Sequence, residues 1–371
     1  MKLQELRIAL IGCGRVAGHH CLSISRTKGA RLVAVCDLVI ERAQKYGEQY
    51  KVPNYNNYHE MLRRHPDINL VVIITPSGMH AEHASEVIEV YKKHILVEKP
   101  TFMTPCQANS TFNLGLKNNV EVFPVFQNRY NKAVKRVQQA ILRGELGDIR
   151  VISVRVRWCR PQKYYDMASW RGTYSHDGGA LANQGIHHLD LLRYLGGEVT
   201  RVNATMRTLG VDVEVEDTVV ATIDYGSGAL GVIECTTAAR PDDFEASFSI
   251  VGEKGLAQIG GVAVNELQYF SPAPDECPLF SEDFKGVEGQ GAVYGFGHFQ
   301  VYRDVVGHLI GDLPYPIGRE DCLGTLHLLH AFYKSDEDNK WILVDDKNQS
   351  KRLGLSNDKI SDLYRTPKPI N

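Results

Sequence analysis

An apolar run, Arg7–Ile11, leads directly into Gly12-Cys13-Gly14-Arg15-Val16-Ala17, where a helical pattern begins. This succession of strand, glycine turn and helix constrains the chain more than any other feature. It fits G-x-G-x-x-G/A, in which each small residue has its own task. Gly12 permits the tight turn, Gly14 lets the backbone approach a pyrophosphate, and Ala17 allows the helix to pack closely on the strand. The N–H groups at the helix start then point at the phosphates. Such a motif also arises by chance in flexible loops, so its surroundings decide. A second strand, Leu32–Cys36, ends at Asp37, 23 residues beyond Gly14. A carboxylate there accepts hydrogen bonds from both ribose hydroxyls of NAD and repels the 2′-phosphate of NADP, so NAD is the expected cofactor. Asp37 also suits the cap of the helical stretch starting near Ile40.

From Leu6 to Phe126 β-branched runs alternate with amphipathic ones. Strands are expected at Arg7–Ile11, Leu32–Cys36, Leu70–Thr75, Ile95–Val97 and Val120–Val125, with helices at Ala17–Thr27, Ile40–Tyr50, His80–Lys92 and Pro105–Asn118. That alternation means a parallel sheet with crossover helices. After Phe126 the rhythm changes. A helix at Lys132–Gly144 and a strand at Arg150–Trp158 precede a Gly-rich stretch and helix over Asp177–Leu195. Strand-like runs follow at Arg201–Arg207, Asp217–Asp224, Gly228–Cys235, Phe244–Val251 and Glu266–Phe270. Strands in succession without intervening helices indicate an antiparallel sheet. Pro272 to Gly297 reads as a long surface loop of the kind that borders binding sites, and helical patterns return at Phe299–Gly311 and Arg319–Ser335. The expected fold class is α/β. An N-terminal Rossmann dinucleotide-binding domain spans 1–126, and a C-terminal α+β domain with a large, mostly antiparallel open sheet spans 127–371.

At 371 residues the chain exceeds what one core organises, which agrees with two domains. Its 43% apolar and 23% charged residues are ordinary for a globular protein, and a net charge of −2 with no basic stripe speaks against a nucleic-acid partner. No apolar stretch approaches the length needed to span a bilayer, and the opening residues have no signal-peptide pattern, so a cytoplasmic protein without a membrane partner is expected. The eight cysteines form no CxxC pair and read as reduced core thiols. No metal site is expected, because neighbours on a helix such as His19-His20 or His187-His188 point in different directions.

Two constellations carry chemistry. The strand ending at Thr75-Pro76-Ser77-Gly78-Met79-His80 and the next, ending at Glu98-Lys99-Pro100, place polar groups at the sheet's carboxyl edge, where open α/β folds bind ligands. A lysine there can hydrogen-bond a substrate hydroxyl. The second constellation is Asp177-Gly178-Gly179-Ala180-Leu181-Ala182-Asn183-Gln184-Gly185-Ile186-His187-His188-Leu189-Asp190. A continuous helix over Ala180–Tyr194 would set Asn183, His187 and Asp190 on one face. That face would present an amide, an imidazole suited to acid–base work and a carboxylate able to fix its tautomer.

Taken in order, the GCGRVA loop, the strand ending in Asp37, Thr75-Pro76, Glu98-Lys99-Pro100 and Gly185-Ile186-His187-His188-Leu189-Asp190 cover almost the whole chain. On these residues it resembles the glucose-fructose oxidoreductase/inositol dehydrogenase/rhizopine catabolism family of NAD(P)-dependent sugar and polyol oxidoreductases. The resemblance implies Lys99 and His187 as the catalytic pair. It implies cofactor contacts from Gly12, Gly14, Arg15, Val16, Asp37, Thr75, Pro76, His80, Glu98, Lys99 and Gln127, and an open sheet that supports a homo-oligomer, dimer or tetramer. One departure is Asn183, where many members carry Asp; an amide positions a hydroxyl but cannot relay a proton.

Within the family, the stretches Gln127–Asn131, Arg160–Tyr165, Trp170–Thr173 and Asn183–His187 look like a branch acting on nucleotide-linked amino sugars, 3-dehydrogenases of UDP-N-acetylglucosaminuronate. Arg129, Arg160 and Arg171 would clamp carboxylate or phosphate, Tyr164, Tyr165 and Trp170 would offer flat faces, and Lys99, Asn183 and His187 would meet the sugar. The expected function is oxidation of a secondary hydroxyl, at C3, by an NAD-dependent dehydrogenase. Oxidation of inositol or a free sugar, an NAD-dependent glycosidase and a non-catalytic NAD sensor remain open alternatives.

Overall fold

The computed structural model describes residues 4–284 and 295–368. The chain forms two compact units, Met1–Val125 with His298–Leu323 and Ser356–Asn371, and Phe126–Gly297 with Gly324–Leu355. The segments 298–323 and 356–371, which the sequence reading assigns to the second domain, thus belong to the first unit.

The first unit opens with β1 (Leu6–Ile11), α1 (Ala17–Arg26), β2 (Ala30–Cys36), α2 (Ile40–Tyr50), β3 (Asn54–Tyr55), α3 (Tyr58–Arg64), β4 (Leu70–Ile73), α4 (His80–Glu86), β5 (His94–Val97), α5 (Pro105–Asn118) and β6 (Val122–Pro124). The strands pair in the order β3-β2-β1-β4-β5-β6, all parallel, which is the doubly wound arrangement. Leu6, Ile8, Ala9, Leu10 and all of β4 are buried, as continuous apolar strands covered on both faces must be. The order reverses between β1 and β4, so the Gly12 and Thr75 turns adjoin at the switch point. The helix expected over His80–Lys92 changes to a π-turn at Val87–Tyr91. Short α3 escapes the periodicity argument, although Asn57 caps it by accepting the His59 and Glu60 N–H groups.

The second unit holds α6 (Lys132–Leu142), β7 (Ile149–Arg157), α7 (Gln162–Tyr165), α8 (Ile186–Gly196), β8 (Val199–Arg207), β9 (Thr218–Tyr225), β10 (Leu230–Thr236), β11 (Glu245–Gly252), β12 (Leu256–Gly260) and β13 (Glu266–Phe270). After α9 (Gly297–Gly311) and α10 (Arg319–Asp338) comes β14 (Ile342–Leu343), and α11 (Asp358–Ser361) is the last helix. The eight strands run β13-β12-β11-β7-β10-β9-β8-β14, and only β7 and β10 are parallel. Ile152, Val154 and Val156 of β7 are buried while Arg155 and Arg157 point outward, the alternation of a sheet covered on one face. The uncovered face also carries exposed Val151, Val220, Leu230, Val232 and Val251. In the loop expected over 272–297, Pro274–Phe280 forms a short 3-10 helix, and residues 285–294 lie outside the described residues. The eight cysteines are free, with Cys13, Cys21, Cys36, Cys235 and Cys322 buried.

Beneath the turn before α8 lies Glu216, whose Oε1 accepts the Leu181 N–H at 3.0 Å and the Tyr333 hydroxyl at 2.6 Å. Burial pushes its carboxyl from an ordinary 4.5 up to about 8. Because the folded value lies above the unfolded one, its contribution is fully present below about pH 4.5 and is lost as pH rises through about 8. Glu216→Gln, neutral at every pH, should therefore melt above the parent at pH 9 relative to pH 5. The difference should change by at most about 1.4 kcal/mol per pH unit. Parallel melting curves for the two proteins would refute the assignment.

Candidate functional site

The first unit builds a dinucleotide cradle at its switch point. Gly12 has φ 100°, and a Cβ there would lie 2.6 Å from the Ile74 carbonyl oxygen, so the turn admits only glycine. Gly14 is exposed, and a Cβ on it would meet nothing within 4 Å, leaving room above the loop for a phosphate. Arg15 is exposed and Val16 half-buried beside it, and no side chain caps the start of α1. Asp37 follows β2 with its oxygens fixed by the Cys13 N–H at 2.7 Å and the Val39 N–H at 2.9 Å. An uncapped helix start, an open glycine and a braced carboxylate one strand over suit pyrophosphate and ribose together.

Thr75 and Pro76 form the turn after β4. The two ring nitrogens of buried His80 lie 2.9 Å from the Thr75 and Pro100 carbonyl oxygens, so this histidine braces one turn against the other. Burial lowers its pKa, and a neutral ring donates to only one of the two. Glu98 is buried at the end of β5, and half-buried Lys99 follows with a cis bond to Pro100. The Glu98 Oε2 accepts the Lys99 N–H at 2.9 Å, while Oε1 faces His20 Nε2 at 3.2 Å and His298 Nε2 at 2.8 Å. His20, Glu98 and His298 are also the described residues spaced closely enough to hold a cation.

The second unit gathers the other site residues, but not as one continuous helix. Ala180–Gln184 is a π-turn, and α8 starts afresh at Ile186. The wider turn aims Asn183 back at Asp177, to whose Oδ1 its amide donates. His187 sits in the first turn of α8, 5% exposed, with Nε2 2.9 Å from Gln127 Nε2. With the amide so oriented, His187 Nε2 accepts, so this nitrogen is the one that can take a proton.

Arg129 is not an open clamp. Its Nε and Nη2 reach Asp190 Oδ2 and Oδ1 at 2.7 and 2.5 Å, both partners buried, with the guanidinium over the Tyr194 ring. The buried carboxylate takes the Nε–Nη2 edge of the guanidinium and neutralises its charge, so a structural pair rather than a substrate clamp accounts for the residue. Arg160 is likewise engaged, donating to Asp243 Oδ1 at 2.7 Å and Gln184 Oε1 at 3.1 Å. Gln184 in turn donates to Asn183 Oδ1 at 2.6 Å and the Tyr164 hydroxyl at 3.2 Å. Asp177 and Gln184, to which sequence reasoning gave no role, and Asp243, which it did not name, thus organise Asn183, Tyr164 and Arg160. Arg171 lies over the Tyr164 and Trp170 rings, while Tyr165 is buried, its hydroxyl 3.1 Å from Thr237 Oγ1 and its pKa raised by burial.

Two family profiles match the chain: an oxidoreductase family, NAD-binding Rossmann fold, over residues 6–126, and a GFO/IDH/MocA C-terminal domain over 134–258. The crystal structure of the WlbA dehydrogenase from Bordetella pertussis in complex with NADH and UDP-GlcNAcA is 34% identical, covering 92% of this chain and 99% of its own, with a TM-score of 0.85. WlbA from Chromobacterium violaceum, with the same two ligands, is 33% identical over 92% and 96% of the two chains, with a TM-score of 0.84. Myo-inositol 2-dehydrogenase of Thermotoga maritima is 25% identical over 92% of this chain and 99% of its own. Among the described residues no helix is long and apolar enough to cross a membrane. With the cradle fitted to a dinucleotide and two near-complete structural matches above 30% identity, the chain belongs to the GFO/IDH/MocA family of oxidoreductases and uses NAD.

Proposed function

We propose that this NAD-dependent sugar oxidoreductase oxidises the C3 hydroxyl of a UDP-linked N-acetylated amino-sugar uronate. The observation that carries the reading is the likeness to two WlbA dehydrogenases, each in complex with NADH and UDP-GlcNAcA and each matched over nearly its full length. Inositol and glucoside dehydrogenases are also relatives, at lower identity, and support the coarser sugar oxidoreductase. The Gly12–Ala17 loop and Asp37 would hold NAD, which would supply the hydride acceptor and the only redox group the reaction needs. His187 takes the hydroxyl proton at Nε2, giving up the hydrogen bond it accepts there from Gln127, and Lys99 hydrogen-bonds the same oxygen and stabilises its developing negative charge. Asn183, held by Asp177 and Gln184, orients the sugar as a fixed amide and relays no proton. Arg171, with Tyr164 and Trp170, recognises the charged and flat parts of the nucleotide sugar, and Arg160, tied to Asp243 and Gln184, holds that wall in place. The exposed apolar residues on the open face of the sheet support a homo-oligomer formed through that face.

The test is NADH absorbance on mixing the protein and NAD with UDP-GlcNAcA, UDP-GlcNAc, myo-inositol or a simple glucoside. A parallel arm with an added 2-oxo acid reveals a cofactor that stays bound. Net oxidation fastest with UDP-GlcNAcA is expected. Preference for inositol or the glucoside would overturn the substrate assignment, and glycoside cleavage without net NADH would place the chain among NAD-dependent glycosidases.

A further inference from the structure

Within the first unit a chain of buried polar side chains runs Tyr302, His20, Glu98, His298. The Tyr302 hydroxyl lies 2.8 Å from His20 Nδ1, and His20 Nε2 and His298 Nε2 converge on one oxygen of Glu98 at 3.2 and 2.8 Å. His20 and Tyr302 are fully buried, and His298 and Glu98 nearly so. Burial alone would push the Glu98 carboxyl up, but the hydrogen bonds from His20 and His298 outweigh it and hold the group well below the usual carboxylate range. A carboxylate has no proton to give, so both facing nitrogens must carry one. Burial keeps His20 neutral, which leaves its Nδ1 bare to accept from Tyr302. Protons and lone pairs then match along the chain as far as His298 Nδ1, which is buried without a hydrogen-bond partner among the described residues. The other Glu98 oxygen accepts the main-chain N–H of Lys99.

We propose that His20, His298 and Tyr302 are positioning residues, which fix the Glu98 carboxylate so that it sets the backbone from which the Lys99 side chain departs. The proposal rests on the assignment of Lys99 to the reaction. Helix α1, whose first turn faces the dinucleotide loop, and helix α9 meet at Glu98, so both helices define where Lys99 begins. A hydrogen-bonded carboxylate held at three points resists the displacement of about 1 Å that can cost a hundredfold in rate.

A mutant cycle tests this. His20→Leu should lower kcat by about 10- to 100-fold, since a misplaced group loses rate rather than affinity, with NADH affinity within about threefold of the parent. His20→Gln, which keeps a donor near the Nε2 position, should recover most of the loss. Tyr302→Phe preserves packing and should show a smaller fall of about threefold to tenfold in kcat. In a Lys99→Ala background, His20→Leu should cost nothing more. Independently of any substrate, ring nitrogen NMR shifts should report His20 as the neutral Nε2–H tautomer, with Tyr302→Phe perturbing that signal. Additive losses in the cycle, proportionate loss of NADH binding, or an Nδ1–H tautomer would overturn the proposal. So would a stoichiometric divalent cation in the purified protein that is lost in His298→Leu, because a metal takes the lone pairs where the network places protons. A Lys99→Ala enzyme as fast as the parent would instead remove the assignment of Lys99, and the proposal with it.

Discussion

Replacing His187 with Asn is expected to lower kcat/KM for the sugar by about 10²- to 10⁴-fold, the usual range for losing a positioned acid–base group. NADH affinity should stay within a few-fold, because the dinucleotide loop and Asp37 belong to the other unit. The expectation stands on geometry: His187 is almost fully buried, lies in the first turn of α8, and has its Nε2 defined as an acceptor by Gln127 at 2.9 Å. Asn is polar but lacks a nitrogen that takes a proton near neutrality. Steady-state rates with the sugar found by the NADH screen, beside fluorescence titration of NADH, check both halves. A variant within a few-fold of the parent would show that another group takes the proton. Gln127→Leu removes the amide that orients the ring and should show a smaller fall, carried by kcat.

The largest effect on stability is expected from Arg129→Leu. Removing one partner of a buried pair strands the other, which costs about 3–5 kcal/mol. Asp190 is 1% exposed on its side chain and receives two short hydrogen bonds from the guanidinium, with the Thr325 hydroxyl at 3.4 Å, so the stranded charge would have little relief. The guanidinium also stacks on Tyr194, and leucine cannot reproduce that attraction between cation and ring. Denaturant unfolding should show the shift, and the double variant Arg129→Leu/Asp190→Leu should recover much of it, since no uncompensated charge remains. A substrate clamp would behave oppositely: Arg129→Leu would then leave stability unchanged and raise KM.

The misreading of Arg129 shows where sequence ceases to inform. Its partner is 61 positions away, and neither residue type nor spacing distinguishes a guanidinium aimed at a ligand from one aimed at a carboxylate. Periodicity did reveal the parallel strands other than the two-residue β3, α2 and α5 at their observed bounds, and most of the open sheet, because each depends on neighbours two to four residues apart. The π-turn at Ala180–Gln184 was hidden, since one extra residue in a turn leaves no mark on hydrophobic spacing. Short α3 did leave a signal in Asn57 and Glu60, three apart like a cap and its partner. The site was legible as strand-end motifs, namely the glycine loop, Asp37 and Lys99. The Glu98 cluster was not, because His20 and His298 lie 78 and 200 positions from Glu98.

The first unit is discontinuous in sequence. Tyr315 donates to the Pro124 carbonyl, Arg365 pairs with Glu82, Lys368 pairs with Glu86, and the Asn57 amide donates to the Pro367 carbonyl. On a translating ribosome, the nucleotide-binding core must therefore wait, with these partners unmet, until nearly the whole chain has emerged. A fragment ending near residue 126 would lack both His298 and Tyr302, leaving Glu98 and His20 exposed to solvent or to a chaperone. Nascent-chain proteolysis should accordingly find protection arriving late, after the second unit's sheet strands through β13 have been made.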